Sequence, residues 1–109
     1  MHQAYGWPRL YITENGAAYD DVIAPDGHVH DPVRIDYLRQ YLTAALRAIE
    51  AGAPVQGYFC WTLMDNFEWA FGTSSRFGLA YTDFATQRRI IKDSGAWFGR
   101  LTRANALTD

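Results

Sequence analysis

Two carboxylates in this chain stand where apolar, β-prone runs end, and one of them has flat aromatic company. Glu14 lies in Thr13-Glu14-Asn15-Gly16, directly after Leu10-Tyr11-Ile12. Glu68 lies in Trp61-Thr62-Leu63-Met64-Asp65-Asn66-Phe67-Glu68-Trp69, a segment bracketed by two tryptophans. A carboxylate beside indoles is the chemistry of sugar binding: hydroxyls donate to the carboxylate, and the apolar C–H face of a pyranose lies on the ring. Each feature also has a plainer reading. A glutamate after a strand is often a solvated loop residue, and a tryptophan pair is often core with a surface charge between.

The elements that must position these residues follow from local signals. Leu10 to Thr13 reads as a buried strand, entered after Pro8 and stopped by Asn15-Gly16. Residues 17–30 carry Asp20-Asp21, Pro25 and Asp26-Gly27, a surface loop. Asp31-Pro32 then opens a helix, with Asp31 at the N-cap and Pro32 in the first turn. Leu38, Tyr41, Leu42, Ala45, Leu46 and Ile49 keep helical spacing on one face, and Gly52 and Pro54 end the helix. Val55 to Thr62 carries apolar residues along its length, interrupted by Gln56, as in a strand covered on both faces. Gly78 to Thr82 and Arg88 to Ile91 read as a small ribbon. Asp93 or Ser94 caps a last helix with Trp97, Phe98 and Leu101 on its apolar side, and residues 102–109 read as frayed.

Composition narrows the class. A net charge of −2 over 109 residues argues against a nucleic-acid partner, which demands a basic face. No apolar stretch approaches the roughly 18 residues of a membrane span, so no membrane partner is expected. The single cysteine, Cys60, excludes an intrachain disulfide and fits a reducing, cytoplasmic setting; in its apolar strand it reads as a small buried hydrophobe. Aromatic residues make up 16% of the chain and crowd between Tyr58 and Phe84, more large rings than so small a unit hides easily. Two parallel strands with helices also leave two open edges. The α/β pattern has two readings. One is an autonomous small α/β domain. The other, better suited to open edges and surplus rings, is the last two strand–helix units of an eight-stranded (β/α)8 barrel, a fold of about 250 residues or more, incomplete on its own.

The motifs resemble those of glycoside hydrolase family 1, the retaining β-glucosidase family. Tyr11-Ile12-Thr13-Glu14-Asn15-Gly16 is similar to that family's nucleophile motif, and Trp61 to Trp69 matches a second family motif over its whole length. Arg76-Phe77-Gly78-Leu79, Tyr81-Thr82-Asp83-Phe84, Thr86-Gln87-Arg88-Arg89 and Lys92-Asp93-Ser94 continue the likeness, which runs from about Tyr5 to Leu101. Thr62, Thr73 and Ile91 depart from the usual serine, tyrosine and proline, and of these Thr73, which borders the mouth, is the one expected to bear on aglycone contacts. The resemblance implies a TIM barrel of which residues 1–109 are the C-terminal quarter, strands 7 and 8, with no separate second domain. It implies Glu14 as nucleophile, Trp61 as the platform beneath the glycone, Glu68 on the 4- and 6-hydroxyls, Trp69 on the 3-hydroxyl, and Phe77 nearby. Asp65 and Asn66 are expected to brace the loop. The family's phospho-sugar branch has serine at the Glu68 position, so an unphosphorylated β-glucoside or short β-linked oligosaccharide is the implied substrate.

No cofactor or metal is implied; His28-x-His30 has no cysteine or further histidine for company. The family's acid/base glutamate lies in an Asn-Glu-Pro motif, and none occurs in the 109 residues. Glu50, at the end of the long helix, is no substitute. The expectation is a nucleophile without its partner: a piece that works with a separate N-terminal barrel chain. A carbohydrate-binding remnant without hydrolysis and a purely structural piece are the alternatives.

Overall fold

Aromatic and β-branched runs become strands and the periodic segment becomes a long helix, in the order α1 (His2–Tyr5), β1 (Leu10–Asn15), α2 (Pro32–Glu50), β2 (Val55–Cys60), β3 (Ala80–Thr82), β4 (Arg89–Ile91) and α3 (Asp93–Ala104). The computed structural model describes residues 2–6 and 8–107. β1 and β2 pair in parallel, with Leu10 opposite Val55, Ile12 opposite Tyr58 and Asn15 opposite Cys60. Because parallel strands cannot be joined by a tight turn, α2 makes the crossover. β3 and β4 form a separate antiparallel ribbon. Its turn is held by Asp83, which accepts from the N–H of Ala85 at 3.0 Å and the hydroxyl of Thr86 at 2.6 Å.

Several boundaries differ from the sequence reading. β1 continues through Glu14 and Asn15 because Trp61 N–H donates to the Asn15 carbonyl at 2.9 Å and prolongs the ladder. β2 stops at Cys60 rather than Thr62. Asp31 makes no side-chain cap on α2. Its carboxylate accepts the Ser94 N–H at 2.8 Å and the Ser94 hydroxyl, so it caps the start of α3 in place of Asp93 or Ser94. The last helix also runs to Ala104 and closes on Asn105 in the left-handed region, so 102–104 are ordered helix; Thr108 and Asp109 lie outside the described residues.

The core is small and one-sided. Leu38, Leu79 and Trp97 are buried, with Ile35, Leu42, Cys60, Phe98 and Leu101 packed against them. Burial pushes the Cys60 thiol up to about 11, so it stays a neutral hydrophobe. The opposite face of the sheet is bare: Tyr11 and Phe59 are 53% and 60% exposed. Tyr41, Leu46 and Ile49, on the expected apolar side of α2, also keep somewhat under half of their surface exposed. The total accessible surface is 7357 Å², against about 6100 Å² for a compact monomer of this mass. The radius of gyration is 15.7 Å, against about 13 Å for a compact domain of this length. This is a piece finished on one face and open on the other. Among the described residues, no helix is long and apolar enough to cross a membrane.

Candidate active site

Parallel pairing sends the C-terminal ends of β1 and β2 to the same end of the sheet, where (β/α)8 barrels build their sites. Glu14 is the penultimate residue of β1 and is exposed; Trp61 directly follows β2. The Trp61–Asn15 backbone bond brings the two strand ends together. Gly16 makes that approach possible, since a Cβ there would lie 1.8 Å from the Trp61 carbonyl oxygen. Nothing larger than glycine fits.

The second motif then folds back on itself. The indole N–H of Trp61 donates to Glu68 Oε1 at 3.1 Å, so one carboxylate oxygen is tied to the ring beside it. Glu68 sits at the base of a tight turn, its N–H donating to the Gly72 carbonyl at 2.7 Å, with Gly72 at φ 57°. Trp69 occupies the top of this turn at φ 46°, an outlier for a bulky residue, with 88% of its surface exposed. Such outliers concentrate at ligand sites. Thr62 N–H donates to the Phe77 carbonyl at 3.3 Å, which holds the half-buried Phe77 beside the Trp61–Thr62 peptide, itself cis. Glu14, Trp61, Glu68 and Phe77 are thus gathered at one end, while Trp69 stands out from the turn.

Asp65 braces this loop, as expected. It accepts from Gly78 N–H at 2.9 Å, Thr82 N–H at 3.2 Å, Arg76 Nη1 at 2.7 Å and Lys92 Nζ at 2.8 Å. The brace belongs to a buried ionic chain that the sequence reading missed. Lys92, fully buried, also reaches Asp21 at 2.5 Å; Asp21 accepts Arg34 Nη2 at 2.6 Å; and Arg34 pairs with Asp31. Arg34 Nη2 donates on to the Arg76 carbonyl at 2.8 Å, closing a ring through five segments of the chain. The carboxylates Asp21, Asp31 and Asp65 balance Arg34, Arg76 and Lys92, which makes such burial tolerable.

A second missed cluster lies behind Glu14. Tyr58 hydroxyl donates to Asn15 Oδ1 at 2.6 Å, Asn15 Nδ2 donates to the Tyr37 hydroxyl at 3.2 Å, and Tyr37 donates to the Gly16 carbonyl at 3.2 Å. Burial raises both tyrosines above their ordinary range, so both remain protonated donors. Neither tyrosine was distinguishable in the sequence from packing residues of β2 and α2.

Among the described residues, no group of three or more His, Cys, Asp or Glu could hold a metal ion. Both ring nitrogens of His30 are already engaged, with Asp26 at 2.9 Å and Asp93 at 2.6 Å. The pair of carboxylates raises its pKa from 6.5 to about 9, the Asp93 bond contributing most.

The chain resembles known proteins along its whole length. Over 109 residues it is 54% identical to β-glucosidase A of Thermotoga maritima, covering all of this chain and 24% of that protein. It is 55% identical over 109 residues to the 1,4-β-D-glucan glucohydrolase of Thermotoga neapolitana, with the same coverage. The solved structure of the β-glucosidase from Thermotoga maritima in complex with castanospermine superposes with a TM-score of 0.97 at 54% identity, over 99% of this chain and 24% of that one. The chain therefore spans about a quarter of the length of the relatives it matches. The family profile described as Glycosyl hydrolase family 1 matches residues 1–107, and the chain belongs to that family.

Proposed function

We propose that this chain is the nucleophile-bearing C-terminal quarter, strands 7 and 8, of a single-domain (β/α)8 β-glucosidase. The single observation carrying this reading is the junction of the two motifs. Trp61 donates its backbone N–H to Asn15, next to Glu14, and its indole N–H to Glu68. One residue thereby fixes both the end of the nucleophile strand and the sugar-binding carboxylate. The named β-glucosidase relatives and the bare face of the sheet support the same reading.

In the assembled barrel, a Glu14 oxygen attacks the anomeric carbon as the bond from that carbon to the aglycone oxygen breaks. The departing oxygen takes its proton from an acid/base glutamate about 5–5.5 Å from Glu14. Water, deprotonated by that same glutamate, then displaces Glu14, and two inversions give retention. Trp61 lies under the glycone, Glu68 accepts from its 4- and 6-hydroxyls, Trp69 reaches the 3-hydroxyl, and Phe77 closes the side. With no Asn-Glu-Pro among the 109 residues, the acid/base belongs to the N-terminal portion of the barrel. Glu68 in place of serine favours a glycone without a 6-phosphate.

Mixing this chain with a barrel portion that carries Asn-Glu-Pro and lacks the ITENG segment tests the proposal. Hydrolysis of a β-glucoside by the mixture, with β-glucose as the first product by NMR, is the expected result. A complex that forms but releases α-glucose, or none, contradicts it.

A further inference from the structure

We infer that Tyr37, Asn15 and Tyr58 form a positioning clamp that sets the orientation of Glu14; this role rests on the nucleophile assignment proposed above. A carboxylate used for attack gains only if it is held in a near-attack geometry, and a residue at the end of a strand is free to swing unless its neighbours are fixed. Glu14 is exposed at the end of β1, so its own side chain supplies little of that restraint. The restraint falls on Asn15 and Gly16.

Asn15 is held at both its backbone and its side chain. Its carbonyl accepts Trp61 N–H at 2.9 Å, its Oδ1 accepts the Tyr58 hydroxyl at 2.6 Å, and its Nδ2 donates to Tyr37 at 3.2 Å. The Tyr37 hydroxyl passes on to the Gly16 carbonyl at 3.2 Å, so the next peptide is fixed too. The donors run in one direction, from Tyr58 through Asn15 and Tyr37 to Gly16, which leaves the Asn15 amide a single orientation. The anchors stand on different elements, Tyr37 on α2 and Tyr58 on β2, so the clamp ties the strand end to the crossover helix and the neighbouring strand together. Gly16 cannot back away, because it already lies against the Trp61 carbonyl. The Glu14 main chain therefore has one position, and its side chain starts from one direction.

The test uses the assembled barrel and a 2-deoxy-2-fluoro-β-glucoside with a dinitrophenolate leaving group, which traps the glycosyl-enzyme. Two quantities are read by mass spectrometry: the extent of labelling on Glu14, which counts folded sites, and the first-order rate constant of labelling at those sites. Tyr58→Phe removes one oxygen from a half-buried ring and leaves the packing in place. It should label Glu14 to full extent with a rate constant about 3- to 10-fold lower, the effect of one hydrogen bond. Asn15→Ala, which removes both side-chain bonds, should be slower still, by about 10- to 100-fold. Wild-type rate constants in both variants overturn the clamp, as does a reduced extent of labelling at an unchanged rate constant, which marks a merely structural role. A wild-type enzyme that carries no label on Glu14 overturns the nucleophile assignment and the clamp with it.

Discussion

Trp61 and Glu68 are bonded to each other, indole Nε1 to carboxylate Oε1 at 3.1 Å, although one follows a strand and the other closes a turn. The bond ties one carboxylate oxygen to the ring, and in the proposed site the carboxylate also accepts from the 4- and 6-hydroxyls of the glycone. A hydrogen bond to a charged group contributes about 1.5–3 kcal/mol. Trp61→Phe, which keeps an apolar surface and loses the N–H, should therefore lower kcat/KM for β-glucosides by about 10- to 100-fold. Glu68→Ala should cost about two to four orders of magnitude, and a β-xyloside, lacking the hydroxymethyl group that carries the 6-hydroxyl, should lose much less. Steady-state kinetics on both substrates decides it. Equal losses for glucoside and xyloside would reduce Glu68 to a support for Trp61.

Gly16 should tolerate no side chain. The Cβ of Gly16→Ala meets the Trp61 carbonyl at 1.8 Å, a backbone atom that is itself tied to the loop. Relief requires the two motifs to part. The variant should sit at the upper end of the roughly 1–3 kcal/mol typical of over-packing, with kcat falling further than stability alone explains. Thermal melting alongside kcat of the assembled enzyme checks both; wild-type kcat in a destabilised enzyme would show that the spacing of the motifs does not matter.

Lys92 is fully buried between Asp21 and Asp65, and its loss leaves three buried carboxylates, Asp21, Asp31 and Asp65, facing only Arg34 and Arg76. Removing one partner of a buried ionic group costs about 3–5 kcal/mol. Lys92→Met, close in shape, should therefore lower the unfolding midpoint strongly. Adding Asp65→Asn to it should recover part of the loss, because the two remaining carboxylates then balance the two arginines. Chemical denaturation of the single and double variants reads this directly, and strict additivity would contradict the coupling.

The legible features were local, and the misses were long-range. Apolar runs gave β1, β2 and the ribbon, and helical spacing with Gly52 and Pro54 gave α2. Glu14 and the Trp61–Trp69 segment were legible as motifs. Asp31 was not legible, because Asp31-Pro32 reads as a cap on the helix beside it while its partner Ser94 is 63 residues away. Lys92, next to Ile90-Ile91 and Asp93, reads as an ordinary surface lysine; only the fold brings Asp21 and Asp65 to it. Tyr41, Leu46 and Ile49 do keep helical spacing yet remain partly exposed, although Leu38 on the same face is buried against Leu79 and Trp97.

His30, half-exposed between Asp26 and Asp93, ties the long loop to the start of α3. Its pKa is raised from 6.5 to about 9. A raised cation contributes stability that is fully present below the unfolded pKa of 6.5 and is lost as pH rises through about 9. The melting-temperature difference between wild type and His30→Asn should thus be positive at pH 6 and vanish by about pH 10. Its size is small and falls with salt, as for other exposed pairs. A difference that grows with pH would reverse the assigned charge.

Attack of Glu14 on the sugar is central to the proposed chemistry, and chemical rescue tests it most directly. Glu14→Ala in the assembled enzyme should lose turnover by on the order of 10⁴-fold or more. Azide, small enough to enter the space left by the carboxylate, should then restore turnover of an activated β-glucoside and release α-glucosyl azide, the inverted product. Near-normal hydrolysis by Glu14→Ala without azide, or β-glucosyl azide as the rescued product, would contradict the nucleophile assignment.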